Sequence, residues 1–208
     1  MLGLRAEGIQ QAREALEIYQ RLGTTVDQAR CLNDLSRLLR SNKQLDAAKE
    51  AASHLIDLLP DEGEEYLACE SQRLLGDIYR SKGERENAIH HFEMALAIAS
   101  PFNWHDGQFW IHDSLAQLFR DERKFDNAHA HIEHAKALAV ENAYNLGRAM
   151  DLQARIWYQQ RKLKEAETEA LGAFRTYEKL GAAKDLESCR ALLQGIEKAM
   201  INGETAYF

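Results

Sequence analysis

Small residues recur along the chain at Ser36, Gly76, Ala116 and Ala154, at intervals of 40, 40 and 38 residues. The same phrase surrounds each of them. Leu35, Leu75 and Leu115 precede three of the four, Leu39, Tyr79, Phe119 and Trp157 follow one helical turn later, and Ala48, Ala88, Ala128 and Ala166 complete the unit. Leu55, Phe92 and Ile132 stand further on as large apolar positions. A fixed period of this length marks a solenoid, in which each unit buries its apolar face against its neighbours. Within a unit the apolar residues fall at helical spacing: Leu75, Ile78 and Tyr79 make one stripe, and Ala88, Phe92, Ala95, Leu96 and Ala99 another. Pro60 and Pro101 both fall where a second helix must stop. No alternating β-branched run is present, so no sheet is expected.

The order Leu75-Gly76-x-x-Tyr79, then Ala88, Phe92 and Ala95, resembles the tetratricopeptide repeat. The lengthened period resembles the long-repeat type found in kinesin light chains and in the C-terminal arms of STAND-type signalling NTPases. The family pattern is not complete: Leu32, Gln72, His112 and Met150 stand where the repeat carries Trp, and Gln153 stands where Leu is expected. The resemblance implies an all-α fold, a right-handed α-solenoid of antiparallel helix pairs, helix A and helix B. The phrase Tyr19-x-x-Leu22-Gly23 returns as Tyr177-x-x-Leu180-Gly181, each glycine ending a helix B. One repeat domain over 1–208 is therefore expected. It divides into a half repeat at 4–23, full repeats at 25–60, 65–100, 105–140 and 144–181, a capping helix at 182–200 and a frayed tail at 201–208. The capping helix has an apolar face of Leu186, Cys189, Leu193, Ile196 and Met200. The half repeat lacks its helix A, so Ala12, Ala15, Leu16 and Tyr19 are expected to form an open apolar edge. That edge predicts self-association, or an upstream repeat in a longer chain.

The family's concave groove is lined by four positions of each helix A, and the resemblance maps a binding face onto this chain. The face reads Arg30, Asn33, Arg37 and Arg40; Glu70, Arg73, Asp77 and Arg80; Trp110, Asp113, Gln117 and Arg120; Arg148, Asp151, Arg155 and Tyr158. Eight arginines and four acids give it a charge of +4 in a chain of net charge −7, which leaves −11 for the remainder. Arginine grips carboxylates through a planar fork where lysine offers a point charge. Arg40, Arg80 and Arg120 repeat at intervals of 40 and are expected to form a ladder. The face predicts an acidic extended peptide as ligand, with Trp110 as its apolar anchor. The competing expectation is a solvated face whose charges pair among themselves, Arg37 with Asp77 and Arg73 with Asp113. The clamp that some members use for chaperone tails is not expected, because Asn33, Arg37, Leu74, Trp110 and Ser114 stand in its place.

Other residues point to little chemistry. His129, His131 and His134, with His90 and His91 one unit earlier, are read as outward polar positions of helix B, not as metal ligands. Phe102, Trp104 and Phe109 are expected to pack under a longer loop. The acidic run at 61–65 is assigned to the start of the next helix. Phosphate-loop, zinc-protease and nucleophile-elbow motifs are absent, so an enzyme and a cofactor are not expected. The acidic total charge argues against a nucleic-acid partner, and no apolar stretch has the length of a membrane span or signal peptide. Cys31, Cys69 and Cys189 are odd in number and sit in helical apolar patterns. They are read as reduced buried thiols of a cytoplasmic protein. The alternative to a free peptide-binding scaffold is a sensor or assembly arm of a larger STAND-type protein, working through its ends and convex face.

Overall fold

A computed structural model of the chain describes residues 2–60 and 63–205, with side chains for 6–60 and 63–202. Among the described residues there are ten α-helices, one 3-10 turn and no strand. Two compact units are formed, one up to Gly107 and the other from Gln108. The first contains α1 (Leu2–Leu22), α2 (Thr25–Ser41), α3 (Leu45–Leu58), α4 (Glu65–Lys82), α5 (Arg85–Ala99), the turn Ser100–Phe102 and the first residues of α6 (His105–Asp121). The second contains the rest of α6, α7 (Phe125–Leu138), α8 (Ala143–Gln159), α9 (Leu163–Leu180) and α10 (Ala183–Thr205).

The recurring small residues explain the close pairing of helices. Ser36, Ala116 and Ala154 are fully buried, and so are Ala48, Ala88, Ala128 and Ala166 opposite them. The Ser36 hydroxyl donates to the Ala48 carbonyl at 2.7 Å. A Cβ at Gly76 would lie 2.6 Å from two ring carbons of Phe92, so only hydrogen fits there. These positions let the two backbones of a pair approach while the larger apolar residues interlock around them.

The turns inside the pairs share one geometry. Lys43, Gly83, Arg123 and Arg161 all have positive φ, between 59° and 79°. After each, an amide reaches back five residues: Gln44 to Leu39, Glu84 to Tyr79, Lys124 to Phe119 and Lys162 to Trp157, at 2.8 to 3.0 Å. This is the Schellman ending, which satisfies the last helix carbonyls and reverses the chain in two residues.

The terminal helices differ from expectation. In α1, Ile9 is buried, and Ala12 and Leu16 pack on the core of the first unit against α2. The expected open edge is therefore partly covered, because a lone helix still lowers its exposed apolar area by lying on the next one. Among the described side chains of α1, the large apolar residues left exposed are Ile18 and Leu22. In α10, Cys189 and Ile196 are buried and Leu186, Leu193 and Met200 pack beside them. That helix continues to Thr205, so 201–205 are helical where a frayed tail was expected, and 206–208 lie outside the described residues. Cys69 and Cys189 are buried free thiols whose pKa values burial raises to about 12 and about 11, while Cys31 is only half-buried.

Candidate functional site

In the first unit, α2 and α4 place three arginines of the face around one carboxylate. Asp77 is 4% exposed. Arg73 approaches it at 3.2 Å, Arg40 at 3.7 Å and Arg80 at 3.8 Å. Arg73 also donates twice to Glu70, at 3.0 and 2.9 Å. Burial alone would disfavour the Arg73 charge, but the Glu70 hydrogen bonds and charge, with Asp77, hold its pKa above the ordinary value. Arg40 is the opposite case. Burial lowers its pKa, Asp77 only partly restores it, and Arg73, Arg80 and Arg37 lower it further. Its Nε is buried without a partner. Arg37 is exposed, Arg30 reaches Asp27 at 3.6 Å, and the Asn33 carboxamide oxygen is buried without a donor.

In the second unit the hub is Asp113, 1% exposed on α6. Arg148 of α8 donates to both its oxygens, at 3.1 and 2.9 Å, and Gln117 donates at 2.6 Å. The Arg148 guanidinium lies over Trp110, 4.8 Å from the ring centroid. Arg155 holds Asp151 at 2.8 and 3.1 Å and reaches Ser188 of α10 at 3.1 Å. Arg120 donates to its neighbour Asp121. Arg120, Arg148 and Arg155 line a hollow of about 230 Å³ with Asp113, Asp151 and Asp185. Tyr158 lies elsewhere, its hydroxyl 3.5 Å from the Gly195 carbonyl on α10.

Several expectations need correction. The internal pairs are Arg73 with Glu70 and Asp77, and Arg148 with Asp113, in place of Arg37–Asp77 and Arg73–Asp113. The face is not simply solvated: Asp77 and Asp113 are buried, and the Arg73 side chain is 12% exposed. Trp110 has Arg148 over its ring and the Phe109 ring against it, so it is not a bare anchor. Of the loop aromatics only Phe109 is buried; Phe102 is exposed and Trp104 half-buried.

His90 and His134 are exposed, as expected, but His91, His129 and His131 are half-buried and packed against aromatic rings. His131 stacks on Phe119 and its Nδ1 lies 3.0 Å from Nδ1 of His112. One unit earlier, His91 stacks on Tyr79 and meets Gln72 at 2.7 Å, the same positions with Gln in place of His. Burial, then His131 and His134, lowers the His112 pKa to about 4. His129 stacks against Trp157 and meets Gln153 at 2.6 Å. Among the described residues no group of three or more His, Cys, Asp or Glu is placed to hold a metal ion. No helix there is long and apolar enough to cross a membrane.

The tetratricopeptide-repeat family model matches residues 73–101, which carry the α4–α5 pair. Solved helical-repeat structures match the fold well beyond that segment. The chain is a repeat protein of the tetratricopeptide type. BtubC (BKLC) from P. vanneervenii is similar at TM-score 0.70 and 16% identity, over 96% of this chain and 92% of that one. A Rap protein complexed with competence and sporulation factor is similar at TM-score 0.67 and 16% identity, over 97% of this chain and 61% of that one. Aspartyl phosphate phosphatase F from Bacillus subtilis is similar at TM-score 0.63 and 17% identity, over 92% of this chain and 54% of that one. The repeat protein thus spans about three fifths or less of the latter two. At these identities the likeness speaks for the fold. A search of curated proteins finds no significant sequence match.

Proposed function

We propose that this repeat protein is a non-catalytic, cytoplasmic protein-interaction scaffold whose A helices hold an acidic extended segment. The units are those at 25–60, 65–100, 105–140 and 144–181, and the binding residues come from the arginine face. One observation carries the reading: Arg40 is a half-buried guanidinium, its side chain 31% exposed, with more arginine than carboxylate around it and a buried, unpartnered Nε. A carboxylate arriving there would find a partly exposed guanidinium whose ion pair with Asp77 is long, at 3.7 Å. Exposed Arg37 stands beside it on α2 and extends the positive surface. In the second unit, Arg148 and Arg155 are already held by Asp113 and Asp151, so their part is to present fixed donors and not free charge. The Rap protein solved with competence and sporulation factor lends support by analogy of fold, since that protein has a bound factor. No specific observation favours the sensor-arm reading.

The test follows from which arginines are free to change. Reversing Arg40 and Arg80 to Glu would set two new carboxylates beside buried Asp77 and endanger the fold. The double variant Arg37→Glu, Arg40→Gln removes the half-buried donor and one exposed charge but leaves Arg73 on Asp77. A peptide array graded from acidic to basic should bind wild type mainly at its acidic end. The double variant should lose at least about tenfold in affinity there. Equal binding of acidic and neutral peptides, or no loss in a folded double variant, refutes the reading.

A further inference from the structure

A second recessed site lies in the first unit, beside the Arg73–Glu70 pair. It is a pocket of about 310 Å³ where α4 meets the turn Ser100–Phe102 and the start of α6. Tyr66 forms one wall and is 63% exposed despite its large ring. Trp104 forms another, edge to face with Tyr66 at 6.1 Å and 68°. Phe102 stacks on Trp104 at 4.8 Å and fixes the indole. Asn103, with φ of 51°, turns the chain so that the indole faces α4. Glu70 and Asp106 also line the pocket, and among its described lining residues there is no lysine or arginine. The Glu70 carboxylate is buried and oriented by its two hydrogen bonds from Arg73. Burial and then Glu70 raise the pKa of the Tyr66 hydroxyl, while Arg37 and Arg73 offset part of that rise.

Two nearly perpendicular aromatic rings beside carboxylates suit a cation. Ring faces carry the negative part of the aromatic quadrupole and attract an ammonium group within about 6 Å. A neutral apolar occupant of the same size would gain the rings but would take water from Glu70 and Asp106 without replacing it. We propose that the Tyr66–Trp104 pocket binds an organic ammonium group, either a lysine side chain of a partner or a free alkylamine. The pocket shares Glu70 with the arginine face through Arg73, but its two rings and the Asp106 carboxylate lie outside that face.

Choline and its neutral isostere 3,3-dimethylbutan-1-ol have the same shape and differ in charge. Each is titrated into the full chain while the Trp104 indole N–H resonance is followed by heteronuclear NMR. Choline should shift that resonance and bind at least about tenfold more tightly than the alcohol. Tyr66→Leu, at an exposed position that keeps apolar bulk, should weaken choline at least about fivefold with an unchanged thermal midpoint. A further arm with N-acetyl-lysine methylamide separates the sources: tighter binding than choline indicates a partner's lysine, and weaker binding a free amine. Equal affinity for choline and the alcohol would make the pocket merely apolar and overturn the proposal. So would the absence of a Trp104 shift with choline and the lysine derivative alike, or full choline affinity in folded Tyr66→Leu.

Discussion

At the scale of single residues, Gly76 has the sharpest constraint. Adding a Cβ there favours the helix by about 1 kcal/mol through propensity. The same atom would sit 2.6 Å from the ring of Phe92, which is fully buried and has nowhere to go. Overpacking of this kind costs about 1–3 kcal/mol, so the steric term wins. Gly76→Ala should lower the thermal midpoint, and a rise would show that the helix pair has room to spare. His112 makes a different prediction. Its folded pKa is about 4, below the ordinary histidine value, so between those two pH values the unfolded chain binds the extra proton. Stability should therefore fall as pH drops from neutral towards 4, with lowered His131 and His91 adding to the slope. His112→Gln copies the Gln72–His91 pairing of the preceding unit and should flatten the profile in thermal melts. An unchanged slope would place the sensitivity elsewhere. The small-residue positions were readable from spacing alone, because a helix pair has few places where backbones touch. The role of His131 was not, because its neighbours Phe119 and His112 belong to another helix, and the pattern of one helix does not reveal what leans on it.

At the scale of elements, the four Schellman turns repeat one backbone path with four different residues. Only Gly83 adopts it without a side chain; Lys43, Arg123 and Arg161 adopt it with one. Nothing lies within 4 Å of a Cβ built on Gly83, so the cost of Gly83→Ala would come from the backbone alone. That cost is about 1 kcal/mol, read as a lower midpoint in chemical denaturation with an unchanged denaturant slope. No loss would mean the turn relaxes out of the left-handed region. Helix order and pairing were legible because turn, small residue and apolar stripe all repeat in phase. The arginine face was legible as a set of positions, since residues spaced 3, 4 and 3 apart share a helix face. Its pairing was not. Whether Asp77 is reached by Arg37 or Arg40 depends on the distance between α2 and α4, which a sequence pattern does not contain. The ammonium pocket was hidden for a related reason: Tyr66 and Trp104 belong to different elements, and a turn with one positive φ brings them together.

At the scale of the whole molecule, charge is placed against the trend. The chain carries −7 overall while its A-helix face carries +4. Much of that positive charge is spent internally, on Glu70, Asp77, Asp113 and Asp151. On the proposed reading, an acidic ligand would meet the half-buried Arg40 and the exposed Arg37. The most direct measurement is a calorimetric titration with the best acidic peptide from the array and with its counterpart in which every Glu and Asp is replaced by Gln and Asn. The account predicts that the acidic peptide binds and weakens as salt rises, as the Debye length shrinks below about 10 Å, while the amide peptide does not bind measurably. Equal affinity for the two peptides, insensitive to salt, would contradict it.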